Sequence, residues 1–356
     1  MELLSNVIYA VLGGYNPPKW CSISCYNAVP VHRNPILIID LPTKDDFYDS
    51  ATNLLNLAWD QVIGLLVEHD NVTEDPDEES LEITDSERYW KAAKQTLSMS
   101  LSLVQQGVEF YVKGRIVSVS PYLLISGSPS SWPKQSKSEE DISFSSFRSI
   151  DAQDLIKVHD TVYKEKLSSE FVQWNINMRE QRNKIIHTVD KNLVVTPESL
   201  IESILFAHEY FIGQKSWIKS RNTYLVNSPS NSTLYVQKDD LNESYLVSEL
   251  LADIEAVTSF LPPSKVKRYL GFNKKGRSLH CPNCYDKVSN MDFFDYDIAE
   301  TLFKPYYQLE SGDFQCVICD QKGTLLNVQC SEDDCESYCI DEKTGLCLVC
   351  GHENTL

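Results

Sequence analysis

Asn177-Met178-Arg179-Glu180-Gln181-Arg182-Asn183-Lys184-Ile185-Ile186-His187 is the stretch around which this chain is organised. It predicts a helix, followed by an extended run over Asn192 to Val195 and a new helix start at Thr196-Pro197-Glu198. On a helix Asn183 and His187 share a face, Arg179 joins them one turn back, and Arg182 sits on the flank. A guanidinium, a carboxamide and an imidazole so grouped can hold a phosphate and move a proton.

Upstream, apolar residues recur every three or four positions from Asp151, through Leu155, Val158, Val162, Tyr163, Leu167, Phe171 and Trp174, and lead into this stretch. Earlier still, Phe47, Ala51, Leu54, Leu55, Ala58, Val62 and Leu65 predict one amphipathic helix. Ser86 resembles an N-cap for a longer one carrying Tyr89, Trp90, Ala93, Leu97, Leu101 and Val104, which continues through Gly107 to Ile116 toward Pro121. Between them the acidic run over 68–85, with Pro76, predicts a solvated loop. The Ser-rich run over 126–143 predicts an exposed connection. Downstream a helix begins at Pro197, an imino acid well placed in a first turn, and is predicted to reach about Lys219.

The expected fold class is therefore mainly α, with four divisions. Residues 1–44 form a lead-in containing β structure, with a strand at Pro35-Ile36-Leu37-Ile38-Ile39-Asp40; Cys21 and Cys25 within it are buried or idle thiols. Residues 45–225 form a helical bundle. Residues 226–277 connect, with a helix over Leu241 to Leu261, and residues 278–356 hold metal knuckles.

Composition limits the function. With 356 residues, 42% of them hydrophobic, the chain can bury a core, and its net charge of -19 excludes non-specific coating of nucleic acid. No apolar run approaches the roughly 18 residues of a membrane helix and no signal peptide opens the chain, so the expected location is cytoplasmic, without a membrane partner. No Gly-rich phosphate loop, Ser/His/Asp arrangement or zinc-protease helix is present.

Arg182-Asn183-x3-His187 resembles the Arg-x4-6-His signature of the HEPN superfamily, which many prokaryotic RNA-cleaving toxins and defence effectors share. The helical layout and Gly107-Val-Glu-Phe-Tyr-Val-Lys-Gly-Arg-Ile116 extend the resemblance over about 45–220. It implies a metal-independent endoribonuclease, a toxin or antiviral effector acting as a homodimer whose signature helices meet in a composite cleft, with RNA as substrate and an antitoxin or defence-system protein as possible partner. The catalytic residues carried over are Arg182, Asn183 and His187, the imidazole moving protons and the guanidinium taking phosphate charge. Glu180 is expected to be a solvated charge; Glu109, Lys113 and Arg115 are expected to be structural or interfacial. The alternative is a non-catalytic adaptor of the same fold, in which His187 merely caps its helix.

Nine of eleven cysteines follow residue 280, in spacings that point in a reducing compartment to structural zinc, two ions per chain. Cys281 and Cys284 pair with Cys316 and Cys319 as two C-x-x-C knuckles. In a second site Cys347 and Cys350 pair with Cys330 and Cys335, or with Cys335 and Cys339; the first is favoured because Ser337 to Asp341 resembles the strand after a knuckle. Ahead of both, Lys265 to Arg277 holds six basic residues and two aromatics, a candidate surface for RNA phosphates and bases.

Overall fold

The computed structural model describes residues 37–73, 83–133, 141–187, 195–228, 241–275, 279, 281–284, 307–310 and 313–355. The predicted lead-in falls mostly outside these residues, together with Cys21 and Cys25; of its strand, β1 (Ile38–Ile39) is described, parallel to β2 (Ile142–Ser143).

The mainly helical expectation holds. Helices α1 (Lys44–Thr73) and α2 (Ile83–Val119) form a long hairpin. Ala51, Leu55, Ala58, Val62 and Leu66 of α1 meet Leu97, Leu101, Val104, Val108 and Tyr111 of α2, all buried, at the spacing that puts one stripe on each helix. A large side chain so buried contributes about 1.5–3 kcal/mol. The glycines of 107–116 face this seam: a Cβ at Gly107 would lie 3.1 Å from the Ala51 carbonyl oxygen, and one at Gly114 would lie 2.7 Å from the Tyr48 ring. Glycine lets the two helices approach here.

Around the hairpin pack α3 (Ala152–Val162), α4 (Ser169–His187), α5 (Pro197–Phe211), α6 (Trp217–Val226), α7 (Leu241–Phe260) and α8 (Pro263–Tyr269). Helix α5 starts as predicted, with Pro197 in its first turn and a reciprocal capping box between Thr196 and Ser199.

Three expectations on helix limits change. First, α1 and α2 extend into the acidic run from both sides, so Ser86 lies inside α2, where its hydroxyl meets His69 Nε2 at 2.8 Å and does not cap. Second, the single helix expected from Asp151 into the signature breaks between α3 and α4, because the Asp160 carboxylate accepts the Leu167 amide at 3.0 Å and the Ser168 amide donates to the Tyr210 hydroxyl at 2.8 Å. Third, the helix from Pro197 stops at Phe211; Gly213, at φ 140, turns the chain into α6.

The segment expected to connect is part of the core. Leu250, Leu251, Ile254 and Val257 of α7 and Val266 and Tyr269 of α8 are buried in the same cluster as the hairpin. Beyond them β3 (Tyr307–Glu310), β4 (Asp313–Cys316), β5 (Lys322–Leu326) and β6 (Ile340–Asp341) form an antiparallel sheet in that order. Leu279, Phe314 and Leu348 extend the helical core into this sheet module.

Candidate functional sites: two four-cysteine clusters and the end of α4

The predicted cysteines converge in two groups, Cys281, Cys284, Cys316 and Cys319, and Cys330, Cys335, Cys347 and Cys350, each with its four sulfurs within 4.8 Å of one another. In the first, Cys281 Sγ lies 3.5 Å from Cys319 Sγ and Cys284 Sγ 3.8 Å from Cys316 Sγ. In the second, Cys330 and Cys350 are 3.7 Å apart and Cys335 and Cys347 3.8 Å. A disulfide would bring sulfurs to about 2.05 Å. Four sulfurs set about 2.3 Å from a central ion at tetrahedral angles are instead separated by about 3.8 Å. Both groups therefore fit a four-coordinate metal ion with every position filled by sulfur.

Local backbone geometry explains how two of the three C-x-x-C turns present their thiols. Asp320 follows the Cys316–Cys319 knuckle at φ 62, and its amide donates to the Cys316 carbonyl at 3.0 Å. Gly351 follows the other at φ 78, with the same bond to Cys347 at 2.9 Å. In both, a left-handed residue closes the turn so that the two sulfurs point to one centre. Crowding has an electrostatic cost: hydrogen bonds from Cys281 and its neighbours hold the Cys319 thiol far below its ordinary range, while the same contacts push Cys284 and Cys316 up. A bound cation removes that conflict by letting all four ionise.

The choice left open in the second site is decided for Cys330. Its amide pairs with the Ser337 carbonyl at 2.8 Å, and Asn354 Nδ2 approaches its sulfur at 3.8 Å. Cys339 stands outside the cluster: its amide donates to Ser337 Oγ and its carbonyl accepts from Leu348.

On α4, Phe171, Asn175 and Met178 are buried, and Arg182 and Ile185 continue that stripe half-buried. Ile176, Glu180 and Asn183 lie on the exposed face. The Arg182 guanidinium donates through Nη1 to Asn183 Oδ1 at 3.1 Å, and its Nε is buried without a hydrogen-bond partner among the described residues. His187 is the last residue of α4; its side chain lies outside the described residues. By helical phase, position 187 shares the Asn183 face and stands about 140° around the axis from Arg182.

The basic run is largely committed to the fold. Lys265 pairs with Glu202, and Arg268 with Glu209 at 2.8 Å; Lys274 Nζ donates to the Thr258 and Leu261 carbonyls at 2.7 Å, closing the end of α7. Tyr269 and Phe272 are buried, and burial pushes the Tyr269 phenol up to about 12. Lys267, Lys275 and the ion-paired Arg268 are exposed, and Arg277 lies outside the described residues.

One constellation escaped sequence reasoning. Arg221 of α6, 3% exposed, meets Asp253 of α7 at 2.8 Å, Asp60 of α1 at 2.5 Å and Glu249 at 4.0 Å. Asn56 accepts from its Nη1 at 3.3 Å, and Trp59 Nε1 donates to Asp253 at 3.1 Å. Burial raises Asp253 despite the arginine beside it. These residues are scattered over three helices with no shared motif, and only their spatial meeting marks them.

Comparison of the chain with protein-family models, curated protein sequences and solved structures returns no match. Among the described residues no helix is long and apolar enough to cross a membrane.

Proposed function

We propose that this chain is a HEPN-type, metal-independent endoribonuclease with zinc in both four-cysteine sites. The observation that carries this is the state of Arg182: a half-buried guanidinium near the end of α4, oriented by Asn183, with Nε left unpartnered. A cation so held, five residues before an imidazole at the helix end, suits a transferring phosphate. His187 takes the proton of a ribose 2'-hydroxyl; the 2'-oxygen attacks phosphorus, the bond to the 5'-oxygen breaks, and that oxygen takes a proton from water as it leaves. The products are a 2',3'-cyclic phosphate and a 5'-hydroxyl. Because Arg182 and position 187 face different ways on one helix, a C2 pair of α4 helices would complete the cleft, one copy supplying the arginine that faces the other's histidine. Zinc, held by four sulfurs at each site, supplies folding energy and has no open position for water.

This reading extends to a toxin or antiviral effector restrained by a partner protein. The second cysteine site favours a protein as that partner: Glu332, Asp333, Asp334, Glu336, Glu342 and Glu353 are all exposed around it, a surface that repels RNA and attracts a basic protein. The same observation is what favours the second reading, a non-catalytic adaptor. Total RNA incubated in magnesium-free buffer separates them. Wild type is expected to leave cyclic phosphate ends, and His187→Ala and Arg182→Ala to leave none while melting at the same temperature. Equal cleavage by His187→Ala overturns the nuclease reading.

A further inference from the structure

A cavity of about 510 Å³ lies between the start of α2, the start of α5 and the end of α7. Its size falls within the roughly 300–1,000 Å³ typical of small-ligand sites. Trp90 and Phe260 line it, with Leu97 buried beneath. The Trp90 ring is fixed by His69 stacked against it at 4.9 Å and 28°, and by Tyr89 edge-on at 5.1 Å. Lys91 and Lys94, both exposed, and Glu198 also line the cavity, with Lys91 next in sequence to Trp90. Val195 borders it as well, and the chain from His187 to Val195 spans at most about 30 Å. In a chain of net charge -19, this cavity joins two aromatic rings to two lysines.

We propose that this cavity holds one nucleotide of the substrate RNA. This rests on the ribonuclease reading and names how that enzyme grips its substrate. The base lies against the Trp90 and Phe260 rings, since every base has a face that stacks on an aromatic. The phosphate sits at Lys91. Glu198, an acceptor only, takes a hydrogen bond from an exocyclic amino group, so adenine, cytosine or guanine is preferred to uracil.

The test uses the full chain and mononucleotides, which need no cleavage to be read. Titration by calorimetry should show saturable binding of AMP, with adenosine and UMP each about tenfold weaker, the first for want of phosphate and the second for want of an amino group. Lys91→Glu, a surface change, should abolish the advantage of AMP over adenosine, and Glu198→Ala the advantage of AMP over UMP. Trp90→Ala should weaken all three by about tenfold or more. Absence of saturation by AMP, or identical AMP affinity in wild type and Lys91→Glu, overturns the proposal. The two readings fail separately: Arg182→Ala should keep AMP binding while losing RNA cleavage. Cleavage lost in Arg182→Ala with no AMP binding in any protein would leave the nuclease and remove the pocket. The expected AMP pattern without cleavage by wild type would do the reverse.

Discussion

The two cysteine clusters share a plan but not a setting. Each joins its outer cysteines, Cys281 with Cys319 and Cys330 with Cys350, and its inner ones, Cys284 with Cys316 and Cys335 with Cys347. Each has a C-x-x-C turn closed by a left-handed residue, Asp320 after Cys319 and Gly351 after Cys350. Yet Cys281, Cys284 and Cys316 are fully buried and continuous with the helical core, whereas Cys330, Cys335 and Cys347 form a small cluster of their own and Cys350 is exposed. The same ligand set thus does different structural work: one clamps the sheet module to the bundle, the other folds a local lobe.

The largest effect should come from the first cluster. Cys284→Ser removes an inner ligand from a core position, and a structural zinc site is worth on the order of 10 kcal/mol. The expected outcome is loss of the cooperative helical transition in a thermal melt followed by circular dichroism. A melt within a few degrees of wild type would break the distinction between the two sites.

Next is the polar cluster that fastens α7, the helix leading toward the first site. Asp253→Ala leaves Arg221 buried without its one buried carboxylate partner among the described residues, and breaking such a pair costs about 3–5 kcal/mol. Hydrogen exchange should then quicken in α6 and α7 and around Cys281 and Cys284, and remain unchanged around Cys335 and Cys347.

Acid reaches the core by its own route. His208 is buried in α5, its Nε2 without a hydrogen-bond partner among the described residues, and burial pushes its pKa down to about 4. A depressed imidazole stabilises the fold fully above its unfolded pKa near 6.5. That contribution disappears as pH falls from about 6.5 to 4, a loss on the order of 3 kcal/mol. Urea melts of wild type at the two ends of this window should differ accordingly, and His208→Gln should flatten the difference.

The smallest effects belong to the second cluster. Cys335→Ser should lower bound metal from about two ions to one and open the lobe around 330–355 to proteolysis, with the helical melt kept. Cys339→Ser, outside both sets, should retain both ions and shift stability by no more than about 0.5 kcal/mol. Metal content by mass spectrometry of the native chain checks both.

Much of this was legible in the sequence. The hairpin, the start of α5 and seven of the eight metal-facing cysteines follow from spacing, because helical periodicity and C-x-x-C turns are local: a few neighbouring residues determine them. What escaped was non-local. The break after Tyr163 interrupts an apolar pattern that continues straight through it, and one of its deciding bonds comes from distant Tyr210. The basic run looked available for RNA until Glu202 and Glu209 of α5 arrived to take its charges.

The sequence by itself determined the helical class, the knuckles and the residues of the α4 signature, since each is fixed by residue type and short spacing. Only the tertiary structure decided that Cys330 and not Cys339 completes the second cluster, that α7 and α8 belong to the core, and that Arg221 gathers Asp60, Asp253 and Asn56. Those outcomes depend on which distant side chains the packed helices bring within hydrogen-bond reach. Burial then sets their energetic weight, and neither quantity is written in the spacing of residues along one chain.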